Sequence, residues 1–87
     1  MHRTDDNQLE IVKALRSVGA EVCDLSRVGF GCPDLLVSFC GRMTLIEVKS
    51  RKGKLNDYQK RFHEKWKAPI HVAKTKDEAL TAIGVIL

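Results

Sequence analysis

The sequence predicts a single α/β domain of order αβββαβα, and three observations predict it. An amphipathic stretch ends at Gly19, two apolar alternating segments flank Cys40-Gly41, and two helix-capping patterns bracket the short segment IHVA. At 87 residues the chain is one domain, spanning 1–87. A chain of this size buries only about 60 to 65% of the surface it exposes when unfolded.

The first helix has Asp5 and Asp6 as N-cap candidates and runs to Val18 before Gly19. At 100° per residue, Ile11, Val12, Leu15 and Val18 share one face, and Glu10, Lys13 and Ser17 share the other. Gln8 falls between Val12 and Leu15, on the inward face.

AEVCDL, residues 20–25, alternates as a short strand, and a loop with Gly29, Gly31 and Pro33 follows. DLLVSF and MTLIEVK then read as a hairpin about Cys40-Gly41. Asn56 and Gln59 form a capping-box pattern at the start of a helix whose Tyr58, Phe62 and Trp66 recur at i, i+4 and i+8. That spacing predicts a core-facing aromatic stripe and not a base-stacking platform. Pro69 ends this helix, IHVA is a strand, and Thr75 with Glu78 caps a last helix carrying Ala79, Leu80 and Ile83.

Composition excludes several classes. Hydrophobic residues at 44% and charged residues at 30% describe a folded domain rather than a disordered chain. No apolar run is long enough to span a membrane, and the polar start MHRTDDNQ does not read as a signal peptide, so a cytoplasmic location is expected. Cys23, Cys32 and Cys40 contain no CxxC pair and are expected to be reduced thiols. His2, His63 and His71 lack metal-ligand spacing. VGFGCP lacks the lysine and spacing of a P-loop, and no small-molecule cofactor is expected.

Lys and Arg number 15 against 11 acids, and eight of the 15 lie between Lys49 and Lys67. Charge alone fits either a solvated surface or a phosphate-backbone footprint.

A two-residue turn at Cys40-Gly41 pairs positions that sum to 81, so Phe39 faces Arg42 and Asp34 faces Glu47. Asp34, Glu47 and Lys49 then share one face of the sheet, while Leu35, Val37, Ile46 and Val48 line the other. Two opposed carboxylates repel unless a cation lies between them. A hard divalent ion would serve, since carboxylate oxygens are the ligands Mg²⁺ prefers, and so would Lys49 alone.

Pro33-Asp34 followed by Glu47-Val48-Lys49, on adjacent strands after an initial helix, resembles the PD-(D/E)XK nuclease superfamily. GCPDLLV, GRMTLIEVK and the later LNDYQ resemble the small phage and bacterial VRR-NUC domains, over a stretch from Gln8 to the C-terminal helix. The resemblance implies the restriction-endonuclease-like core, a mixed four-stranded sheet flanked by helices. It also implies hydrolysis of DNA phosphodiester bonds with Mg²⁺ or Mn²⁺ as cofactor.

In such domains the residues matching Asp34 and Glu47 bind the metal, with the backbone carbonyl at the position of Val48. The lysine matching Lys49 orients or deprotonates the attacking water. Gln59 matches a glutamine that helps hold water or phosphate, although its capping-box role explains it equally well. The superfamily places a glutamate on the first helix where this chain has Gln8. Glu10 is the nearest acid, but two positions along a helix is about 200°, so only one of the two faces the sheet. The helical wheel favours Gln8 as the catalytic-site residue over Glu10 as a metal ligand.

With this resemblance, Arg51, Lys52, Lys54, Lys60 and Arg61 become the expected DNA-backbone contacts. Related small nucleases resemble Holliday-junction resolvases, which implies a homodimer acting on branched DNA in the cytoplasm of a bacterial cell, encoded by the host, a phage or a prophage. The competing reading is a noncatalytic DNA-binding or interaction module that retains the nuclease fold.

Overall fold

A computed structural model describes residues 6–87. Its elements are α1 (Asp6–Ser17), β1 (Glu21–Asp24), β2 (Leu35–Phe39), β3 (Arg42–Val48), α2 (Asp57–Lys65), β4 (Ile70–Ala73) and α3 (Lys76–Ala82). The element order is the αβββαβα read from the sequence. Asp5, one of the two expected N-caps, lies outside the described residues.

The four strands form one mixed sheet in the order β1-β2-β3-β4. β1, β2 and β3 are antiparallel neighbours, and β4 joins β3 in parallel through the α2 crossover. Cys40 and Gly41 have φ of 49° and 76°, the left-handed pair that a two-residue turn between twisted strands requires. Phe39 accordingly pairs with Arg42 and Leu35 with Ile46, the register expected from the sum of 81.

Alternation along these strands divides the sheet into two unlike faces. Leu35, Val37, Ile46, Val48 and Ala73 point to one side and pack with Ile11 and Leu15 of α1 and Ala79, Leu80 and Ile83 at α3. This is the hydrophobic core, and α1 and α3 seal it. Val18 was expected on the inward stripe but lies just past the end of α1, where the chain turns at Gly19, and it is exposed. Among the described residues no helix is long and apolar enough to cross a membrane.

The other face carries Leu36 and Leu45, and α2 lies against it without closing it. No residue of α2 is buried, with Tyr58 59% and Trp66 45% exposed, so the aromatic stripe is not the core element its spacing predicts. The physical reason is that a cavity of about 560 Å³, walled by Leu36, Leu45, Phe62 and Trp66, separates helix from strands. Phe62 and Trp66 stack on each other at 5.1 Å instead of entering the sheet.

Both later helices begin as their sequences indicate. Asn56 Oδ1 accepts from the backbone N–H of Gln59, and Gln59 Oε1 accepts from that of Asn56, a complete capping box. At α3, Thr75 accepts from the N–H of Glu78, but Glu78 reaches one residue further back and accepts from the N–H of Lys74.

Candidate functional site

The site is built where the hairpin meets the loop preceding it. Pro33, fully buried, lacks an N–H to satisfy and fixes the chain as it enters β2. Leu25 donates to the carbonyl of Asp34 at 2.7 Å, which anchors that residue beside the end of β1. The Asp34 side chain then turns toward β3, where its Oδ2 accepts the backbone N–H of Val48 at 2.8 Å. The ladder ends at Leu35 and Ile46, one residue short of the expected Asp34–Glu47 pair, so Asp34 is held near the end of β3 by this backbone contact and not by strand pairing.

Glu47 is completely buried. Burial first, then a side-chain hydrogen bond with Asp34 and the negative charge of Asp34, push its carboxyl up to about 9, against the opposing pull of Lys49. Lys49 sits half-buried just beyond β3, its N–H bound to the carbonyl of Ala73 at 3.0 Å. Two carboxyls and an ammonium therefore share one end of the sheet, on the face opposite the core.

Helix α2 closes this cluster with two side chains one turn apart. Gln59 Nε2 donates to Glu47 Oε2 at 3.3 Å while its Oε1 serves the capping box, so the capping and site roles coexist in one amide. His63 Nε2 lies 3.7 Å from Glu47 Oε1, and both atoms are buried without a hydrogen-bond partner. Burial, followed by the charge of Lys49, depresses the His63 pKa, so the contact is not an ion pair near neutral pH. His63 was not a candidate in the sequence. Its one available signal was its position at i+4 from Gln59 on the same helix face.

A divalent ion fits what these residues leave unsatisfied. An ion bound to Glu47 would hold the carboxylate in its charged form despite burial, and would give the orphaned Oε1 a partner. Among the described residues no group of three or more His, Cys, Asp or Glu is arranged as a metal cage. Mg²⁺ is commonly held by one or two carboxylates and keeps several waters.

The first helix turns Gln8 inward and Glu10 outward, as the helical wheel predicts. Gln8 is 6% exposed and Glu10 is exposed, so the amide faces inward and the acid faces solvent. Gln8 Nε2 donates to Asp24 Oδ2 at 3.3 Å, at the end of β1. Its recorded hydrogen-bond partner is thus Asp24 and not the Asp34–Glu47 pair. Asp24 also accepts from the N–H and hydroxyl of Ser26, the latter at 2.5 Å. Asn7, another residue the sequence did not single out, donates to the carbonyls of Lys49 and Lys74 at 2.8 and 3.1 Å. It ties the start of α1 to the ends of β3 and β4.

Arg51, Lys52, Lys54, Lys60 and Arg61 are all exposed around the turn after β3 and on α2. Cys32, two residues before Asp34, is half-buried in the cavity wall, and burial with the nearby Glu47 and Asp34 charges raises its thiol pKa. A thiol held protonated is a poor nucleophile.

No family model matches the sequence, and no curated protein does. A solved structure of a VRR_NUC domain is similar to 85% of this chain and 86% of its own, at 29% sequence identity and a TM-score of 0.69. The likeness covers most of both chains. The chain therefore has the VRR_NUC nuclease fold.

Proposed function

We propose that the chain is a metal-dependent DNA endonuclease hydrolysing phosphodiester bonds. The observation that carries this reading is the fully buried Glu47 carboxyl set beside the Asp34 carboxyl and Lys49, an arrangement unfavourable by itself and suited to a hard cation. Asp34 and Glu47, with the backbone carbonyl of Val48, would hold Mg²⁺ or Mn²⁺. A bound divalent ion lowers the pKa of its water and neutralises charge on the scissile phosphate.

The chain's own groups supply the rest. Lys49 places a positive charge where the attacking water and the developing phosphorane charge would lie. Gln59 fixes the orientation of Glu47 through Oε2. Arg51, Lys52, Lys54, Lys60 and Arg61 would bind the DNA backbone, giving affinity that falls with salt and is largely independent of sequence.

The finer proposal is a homodimer that pairs two such sites to cut branched DNA symmetrically. A core confined to one face of a small sheet supports it, because association would bury further apolar surface. A noncatalytic DNA-binding module is the second reading. It draws on Gln8, a neutral amide bonded to Asp24 where the superfamily carries an acid.

The deciding experiment is cleavage of supercoiled, forked and four-way-junction DNA with and without Mg²⁺ or Mn²⁺. Wild type should cut only with metal, and Asp34→Asn and Glu47→Gln should each lose at least about 100-fold, as expected when a ligand of a catalytic ion is removed. Metal-independent cutting, or full activity in both variants, rules the mechanism out. Absence of any cutting with retained DNA binding selects the noncatalytic module. Sedimentation at micromolar concentration tests the dimer, and a monomer there removes the paired-site proposal.

A further inference from the structure

The exposed side of α2, with the loop before β2, forms a surface of which the catalytic reading uses only Arg61. Phe30 is 85% exposed and adopts φ of 55°, a left-handed conformation uncommon for a bulky residue. Gly31 behind it packs so closely on α2 that a Cβ there would come within 2.2 Å of the Tyr58 carbonyl oxygen. The loop is thus clamped to the helix, and Phe30 is held out over it. Such an outlier on a well-anchored loop is a reason to look for function.

Beneath Phe30 lies an open cavity of about 350 Å³ lined by Tyr58, Arg61, Phe62, Lys65 and Trp66. Its lining holds four aromatic rings and two cations and no carboxylate. Arg61 stands 5.4 Å from the centre of the Tyr58 ring. On the helix, Tyr58, Arg61, Phe62, Lys65 and Trp66 form one stripe at i, i+3, i+4, i+7 and i+8. Gln59 and His63, which meet Glu47, form the adjacent stripe. One short helix therefore presents the carboxylate site on one side and an aromatic, cationic surface on the next.

Flat aromatic faces beside cations suit a ligand that is flat and apolar on its faces but anionic along its edge. An unpaired nucleobase on its phosphate backbone has that chemistry, and stacking on protein aromatics recognises it without reading sequence. We propose that Phe30, Tyr58 and Trp66 stack unpaired bases of a DNA strand whose phosphates are held by Arg61 and Lys65. Resting on the nuclease reading, this makes the substrate class DNA with single-stranded character next to the cut.

The test measures binding without cleavage. Trp66 is the single tryptophan of the chain, so its fluorescence reports directly on this surface. In EDTA, oligothymidylate should quench it, while an abasic strand of equal length should bind about tenfold more weakly and not quench. Phe30→Ala and Phe30→Leu should each lower affinity for oligothymidylate about tenfold and change affinity for blunt duplex less than twofold, and Phe30→Trp should restore it. Because Phe30 is almost fully exposed, circular dichroism of these variants should match wild type.

Abasic strand bound as tightly as oligothymidylate, equal losses on strand and duplex, or restoration by Phe30→Leu would each overturn the proposal. So would a Phe30→Ala protein that only shifts toward monomer with unchanged strand affinity, which would assign the surface to a second copy. Cleavage in Mn²⁺ separates the two readings. Metal-dependent cutting without stacking rejects only this inference, and stacking without cutting rejects only the nuclease.

Discussion

Asp34 Oδ2 accepts the backbone N–H of Val48 at 2.8 Å, so the loop acid is fixed against the strand residue that follows Glu47. The two carboxyls cannot easily move apart, and their closeness favours the protonated form of Glu47 in the metal-free fold. Asp34→Asn should therefore bring the Glu47 titration down from about 9 toward the ordinary carboxylate range. Carbon-13 detection of the Glu47 carboxyl through a pH titration measures this directly. An unchanged midpoint would assign the shift to burial alone.

The same raised pKa sets the sign of a stability change with pH. Glu47 titrates near 9 when folded and near 4.5 when unfolded, so between these values the folded state binds more protons and stability falls as pH rises. His63 has the opposite sign, since its depressed folded pKa costs stability only as pH falls below its unfolded value of about 6.5. From there to about pH 9 the Glu47 slope dominates among the described residues, and the raised Cys32 thiol adds a slope of the same sign only at more alkaline pH. The melting temperature of metal-free protein should decline from about pH 6.5 to 9, and Glu47→Gln should flatten the decline. Added Mn²⁺ should raise the melting temperature most at the alkaline end, because the ion binds the deprotonated pair.

Gln59 joins two jobs that substitutions can separate. Gln59→Ala removes an acceptor from the capping box and a donor from Glu47, and should cost about 1 kcal/mol in urea denaturation as well as activity. Asn56→Ala removes the other half of the capping box and leaves the Glu47 contact in place. It should cost a similar amount in stability, about 1 kcal/mol, while retaining most of the cutting rate. Equal kinetic losses in both variants would mean that Gln59 acts only through the helix.

Two glycines of one loop should respond unequally to alanine. Gly29 and Gly31 have φ of 81° and 82°, and each substitution carries the left-handed penalty of about 1–2 kcal/mol. A Cβ on Gly29 meets nothing within 4 Å, whereas one on Gly31 overlaps the Tyr58 and Gln59 backbone. Gly31→Ala should thus be the more destabilising in denaturant titrations. It should also reduce cutting, since the displaced helix carries Gln59.

Much of this arrangement was legible in the sequence because it is local. Cys40-Gly41 specified a two-residue turn, the turn specified the register, and the register put Glu47 on the face away from Leu35 and Ile46, with Asp34 and Lys49 just beyond the strand ends. Asn56 with Gln59 and Thr75 marked the starts of α2 and α3 for similar reasons. The tyrosine, phenylalanine and tryptophan of α2 were misread because periodicity identifies a stripe but not what covers it. The links from Asn7 to Lys49 and from Gln8 to Asp24 were hidden for another reason: they join side chains to groups distant in sequence, which no local pattern encodes.

The Cys40-Gly41 turn also bears on the order in which the protein folds. The Asp34–Val48 contact closes 14 residues and the Gln59–Glu47 contact 12, so the carboxylate pair and its glutamine come together through short loops. β4 instead has to return across the whole α2 crossover before its parallel pairing with β3 can form. Short closures and hairpins form in microseconds or less, while longer-range pairings come at greater entropic cost. A nascent chain would thus bring its two acids together before the sheet is complete, and a divalent ion present at that moment could act as a nucleus for folding.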